Sequence, residues 1–157
     1  MNIRFRRRIS WLFAGILILL IIFTTCDFLN QIDEFEPTGT PYTLNSDIEL
    51  VRIQESRLNY NSTGLFSLDF ICHSKSSSTE TATLPAGLFF ICQNSKVQSM
   101  IIVKDFGISV SSAQDTFTLG AFSVNESKSV PGDSDFYNIG PITDNSDLKK
   151  IIDIVKV

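Results

Sequence analysis

Histidine occurs once, at His73, and tryptophan once, at Trp11, in a chain of 157 residues with three cysteines and five prolines. A lone histidine leaves little for acid–base or metal chemistry, and the chain has no HExxH segment, no glycine-rich phosphate loop and no Ser-His-Asp arrangement to test. No catalytic residue, cofactor site or metal-ligand set is assigned, and the chain reads as non-enzymatic. Basic residues are also scarce, 13 against 17 acidic ones for a net charge of −4. Binding to nucleic-acid phosphates requires a basic face, so nucleic acid is excluded as a partner. Charged residues make up only 19% of the chain while phenylalanine occurs 13 times, which argues against disorder along its whole length. The length suits one ordinary domain.

What charge and apolarity there is lies unevenly. Residues 1–25 hold Arg4, Arg6, Arg7 and Arg8, no acid, and an apolar run from Trp11 to Phe23. A basic start, a short apolar stretch and then small polar residues is the layout of an export signal. The run is shorter than the roughly 20 residues a membrane-spanning helix needs, and Thr24, Thr25, Cys26 and Asp27 end it. Residues 1–25 therefore read as an apolar signal helix, either cleaved or retained as a signal anchor.

Phe23-Thr24-Thr25-Cys26 resembles a bacterial lipobox, whose usual form is Leu, Ala/Ser/Thr, Gly/Ala/Ser and the modified Cys. Phe23 and Thr25 depart from that form. The resemblance implies a lipoprotein of the cell envelope: Cys26 would carry a diacylglycerol thioether and palmitate-class acyl chains, and would become the mature N-terminus. Two or three acyl chains hold a protein on a bilayer where one gives only marginal binding. Membrane contact would run through the lipid on Cys26, on the periplasmic side or the cell surface, with a protein or glycan of the envelope as partner. Under the alternative reading the chain is a membrane-anchored or secreted ectodomain, with Cys26 an incidental thiol.

Without residues 1–25 the chain is 132 residues long with a formal charge of −8, and anionic headgroups repel it unless an anchor intervenes. Residues 26–46 contain Asp33, Glu34, Glu36, Pro37, Gly39 and Pro41 with little periodicity, the composition of an extended, flexible acidic linker. Phe28, Leu29, Ile32 and Phe35, spaced i, i+1, i+4 and i+7, offer a short helix there as an alternative. From residue 47 the chain breaks into short strand-like runs: 48–53, 65–73, 81–84, 88–92, 100–103, 108–110 and 116–124. Phe66, Leu68, Phe70 and Cys72 share one face at period two, and Leu88 to Cys92 is continuously apolar, as in a strand buried on both sides. Pro85-Ala86-Gly87 is a turn signal. Short strands at this spacing predict a mainly β domain over 47–157, an antiparallel β-sandwich of immunoglobulin-like size. A C-terminal helix is predicted over 146–156, with Leu148, Ile151, Ile152 and Val155 on one face and Asp144, Asn145 or Ser146 as its cap.

The order Leu84-Pro85-Ala86-Gly87, Gln98 before a strand, Ala121-Phe122-Ser123-Val124-Asn125 and Pro131 resembles a small secreted bacterial β-sandwich domain, with Ser123 where that pattern often has Cys. The resemblance implies fold and secretion, and no activity. Cys72 and Cys92 both end Phe-Ile-Cys triplets and are candidates for a disulfide in an oxidising compartment, or else two buried thiols. Adjacent strand residues point to opposite faces, so Cys72 and His73 cannot work as a pair. An enzyme would have to assemble a polar cluster from distant residues such as Asp69, His73, Glu80 and Asp105. Asp133-Ser134-Asp135 reads as a solvated turn, since calcium needs six to eight oxygens. Asn61-Ser62-Thr63 and Asn125-Glu126-Ser127 satisfy the N-glycosylation sequon.

Overall fold

The alternation of apolar and polar side chains from residue 48 onward produces strands whose inner faces meet in one core. The computed structural model describes residues 35–56, 65–125 and 127–155. It contains β1 (Gly39–Thr40), β2 (Ile48–Glu55), β3 (Leu65–Ser74), β4 (Glu80–Leu84), β5 (Leu88–Cys92), β6 (Met100–Ile101), β7 (Phe106–Val110), β8 (Asp115–Ser123), β9 (Phe136–Thr143) and α1 (Ser146–Val155). Among the described residues the fold is mainly β with one short C-terminal helix, as expected.

The strands do not divide into the two layers of a sandwich. Pairing runs from β9 through β2, β3, β8, β6 and β5, and β5 pairs with β9 again, so six strands form a closed antiparallel barrel. The physical reason is β9, whose Gly140 and Pro141 interrupt any strand-like run in the sequence. Leu88 pairs with Ile142 and Phe90 with Ile139, so β9 spends one residue more than β5 between those pairs. Such a bulge lets a proline without an N–H sit in a ladder.

The barrel interior is filled by Phe66, Leu68, Phe70 and Cys72 of β3 together with Ile53, Leu88, Phe90, Met100, Leu119, Ala121 and Tyr137. Both ends are plugged. At one, β4 and β7 pair as a separate two-stranded sheet that adds Leu84, Ile108 and Val110 to the core. The amide of Ser74 donates to Ser111 O at 2.7 Å, tying that sheet to the end of β3. At the other, Val97 enters the core from a loop held by Gln98 N to Ser129 O and Ser129 N to Lys96 O.

The segment 26–46, expected as linker, belongs to this domain from Phe35 onward. β1 pairs with the end of β9, Tyr42 and Leu44 pack against the core, and the Phe35 ring lies 5.8 Å from that of Phe89. The apolar run Leu88–Cys92 is buried on both faces for a definite reason. Leu88, Phe90 and Cys92 point into the barrel, while Phe89 and Ile91 belong to a second cluster outside it with Ile101, Phe122, Leu148 and Ile152. α1 covers this outer wall. Asn145 caps it, its Oδ1 accepting from the amides of Asp147 at 2.9 Å and Leu148 at 3.1 Å.

Candidate functional site

Cys26, the expected lipidation site, lies outside the described residues, as do the signal segment 1–25 and the sequon at Asn61. The other sequence-derived positions can be followed one by one. Cys72 and Cys92 stand as buried free thiols, the second of the two arrangements that the sequence left open. Cys72 lies on β3 and Cys92 on β5, strands that stand opposite each other in the ring of six. Burial, helped by the nearby Asp115 carboxylate, pushes the Cys72 thiol up to about 11. Burial raises Cys92 as well, against an opposing hydrogen bond from the backbone of Asn94. Both are protonated and unreactive at neutral pH.

His73 sits on the other face of β3 from Cys72, as strand alternation requires, and its Nε2 lies 3.6 Å from Glu49 Oε2 across the ladder. The structure does not gather Asp69, His73, Glu80 and Asp105 into one cluster, because each carboxylate serves a local neighbour. Asp69 accepts from Thr118 Oγ1 at 2.8 Å, Glu80 from Ser78 Oγ at 2.8 Å, and Asp105 from the amide of Ala86 at 2.7 Å. That last bond secures the Pro85-Ala86-Gly87 turn, where Leu88 N donates to Pro85 O and Gly87 takes a φ of 88°. Asp135 folds its own loop, accepting from the amide of Gly132 at 2.8 Å. Among the described residues no group of three or more His, Cys, Asp or Glu side chains is placed to hold a metal.

Asn125 is 5% exposed and bonded at both ends: Oδ1 accepts from the Ser99 amide at 3.2 Å, and Nδ2 donates to Phe35 O at 2.8 Å. An asparagine held this way is not presented for glycosylation in the folded domain. Gln98, singled out in sequence because it precedes a strand, is equally buried, with Nε2 donating to Lys128 O at 3.1 Å.

One concave surface is not marked by the sequence motifs. Among the described residues α1, ten residues long, leaves part of the apolar outer wall of β6 and β8 uncovered. Two cavities of about 360 Å³ each open there, and Val103, Phe122 and Val155 line both, making one trough along the wall. Phe35, Ile101 and Leu148 line its first half, and Ile102, Phe106 and Lys104 its second. Ile151 also lines its first half and is 54% exposed. The signal for this surface was present in the sequence as Ile151 and Val155 on the apolar face of α1, and as apolar residues on both faces of 100–103. Comparison with family models, with curated proteins and with solved structures finds no match to this chain.

Proposed function

We propose that this is a lipid-anchored cell-envelope protein whose barrel domain acts as a non-catalytic binding or structural module. The observation that carries the reading is Cys26, placed directly after a basic, apolar leader and the small residues Thr24 and Thr25. Acylation there would hold an acidic domain at a membrane that its own charge does not favour. A module role fits a domain whose candidate polar residues are each consumed by turns, caps and ladders. No helix among the described residues is long and apolar enough to cross a membrane.

The test is metabolic labelling of the full chain in a bacterial host with an alkyne-tagged palmitate. Wild-type protein takes up the label and Cys26→Ala does not. Wild-type protein without label, and with an intact mass retaining residues 1–25, overturns the lipoprotein reading in favour of a signal-anchored ectodomain.

A further inference from the structure

We propose that the trough between α1 and the outer wall of β6 and β8 is a binding site for a single long acyl chain with an anionic head, seated with its head at Lys104. This goes beyond the anchoring role, since it uses only residues 35–155 and does not depend on modification of Cys26.

Three observations carry it. First, the trough offers almost nothing to hydrogen-bond: of the described residues lining its two halves, all but Ser123 and Lys104 are apolar or glycine. Second, the wall beside α1 is already paired. Phe89 with Ile101 and Phe90 with Met100 join β5 to β6, and Ile101 with Phe122 and Met100 with Ser123 join β6 to β8, so an extended peptide has no free ladder to join in the first half. A ligand that needs no backbone partners and presents a long apolar surface fits those two facts, and each half of the trough has the size of a small-ligand pocket, about 300–1,000 Å³. Third, the charge is complementary to an anionic head. Among the described residues Lys104 is the one charged residue lining either half, with no acid beside it in the lining, in a chain whose residues 26–157 carry a formal −8. The neighbouring Asp105 is turned to the Ala86 amide of the turn.

The test uses the full-length chain carrying Cys26→Ala, so that no covalent lipid competes, held in amphipol and irradiated with a 16-carbon fatty acid bearing a mid-chain diazirine. Adducts are expected on the peptides that contain Val103, Phe122 and Val155. Unlabelled decanoate and dodecanoate should displace the probe, gaining about fourfold for each added methylene until the trough is full. Methyl dodecanoate should compete about two- to fivefold less well than the acid. Lys104→Glu, a surface change, should abolish that preference for the acid, and Val103→Trp should remove the adducts with the circular dichroism unchanged. Adducts absent from these peptides or confined to residues 1–25, equal competition by acid and ester, or an acid preference that survives Lys104→Glu would each overturn the proposal. So would a dimer in light scattering whose cross-links bury Phe122 and Ile151, which would assign the trough to a second copy of the chain.

Discussion

Two buried polar side chains at the far end of the barrel face opposite energetic situations. Asn125 satisfies two backbone groups, whereas the Tyr137 hydroxyl is buried with no partner among the described residues. Removing a partner strands a desolvated group, while removing an unpaired hydroxyl strands nothing. Asn125→Ala should therefore cost about 1–3 kcal/mol, and Tyr137→Phe should lie within about 0.5 kcal/mol of wild type or stabilise; urea midpoints at constant slope measure both. The thiols make a pH prediction. Cys72 is held at about 11 in the folded chain, against about 8.5 when unfolded. The unfolded state then binds fewer protons than the native one between those values, so stability is complete below pH ~8.5 and falls as pH rises towards 11. Cys92 and Tyr137, both raised by burial, act in the same direction. Melting temperatures recorded from pH 7 to 10.5 should fall along that limb, less steeply in Cys72→Ala. Without reductant, iodoacetamide should modify both thiols only after denaturation; a wild-type protein that takes up no label when denatured carries the disulfide instead.

At the scale of single elements, the sequence was most readable where one local rule decided the outcome. The α1 face of Leu148 and Ile152 and the cap before it follow from the 3.6-residue period, and the structure selects Asn145 from three candidates. The turn at 85–87 follows from Pro and Gly chemistry, with Gly87 at positive φ. β9 was not readable, because Gly140-Pro141 breaks its alternation and only a distant partner, β5, compensates. The same holds for β1, a two-residue strand in an acidic, proline-containing stretch. Gly39 permits it by close approach: a Cβ there would meet Ile142 O at 1.8 Å. The trough was the least legible feature, because it arises from a wall and a helix that are each apolar for ordinary packing reasons but do not match in length. For α1 itself, ten residues are marginal in isolation, so packing holds it. Ile152→Ala, at a 6% exposed site, should undock it at a cost of about 2–4 kcal/mol. Hydrogen exchange should then quicken for the amides of 148–155 and leave β2, β3 and β8 protected.

The whole molecule is governed by closure. A sandwich and a barrel can share strand lengths, spacing and inward-facing residues, and differ in one pairing between strands about 50 residues apart, Leu88 with Ile142. No local pattern encodes that contact, which is why period and spacing led to a mainly β fold and stopped short of its topology. Closure also leaves no edge strand within the ring, and it makes the β5–β9 seam a matter for the whole barrel. Gly140 lies on that seam, where a Cβ would come within 2.8 Å of Ile91 Cγ1 and 3.1 Å of Phe89 Cβ. Any side chain there must push the two strands apart or displace the outer cluster under α1. Gly140→Val should cost about 1–3 kcal/mol, as overpacking of a tight contact does. In a closed ring that loss should appear everywhere at once, with amides of β3 and β8, on the opposite side, losing protection in step with those of β5 and β9. Exchange that quickens only at β5 and β9 would mean that the seam opens by itself, and that the remaining strands are stable as an open sheet.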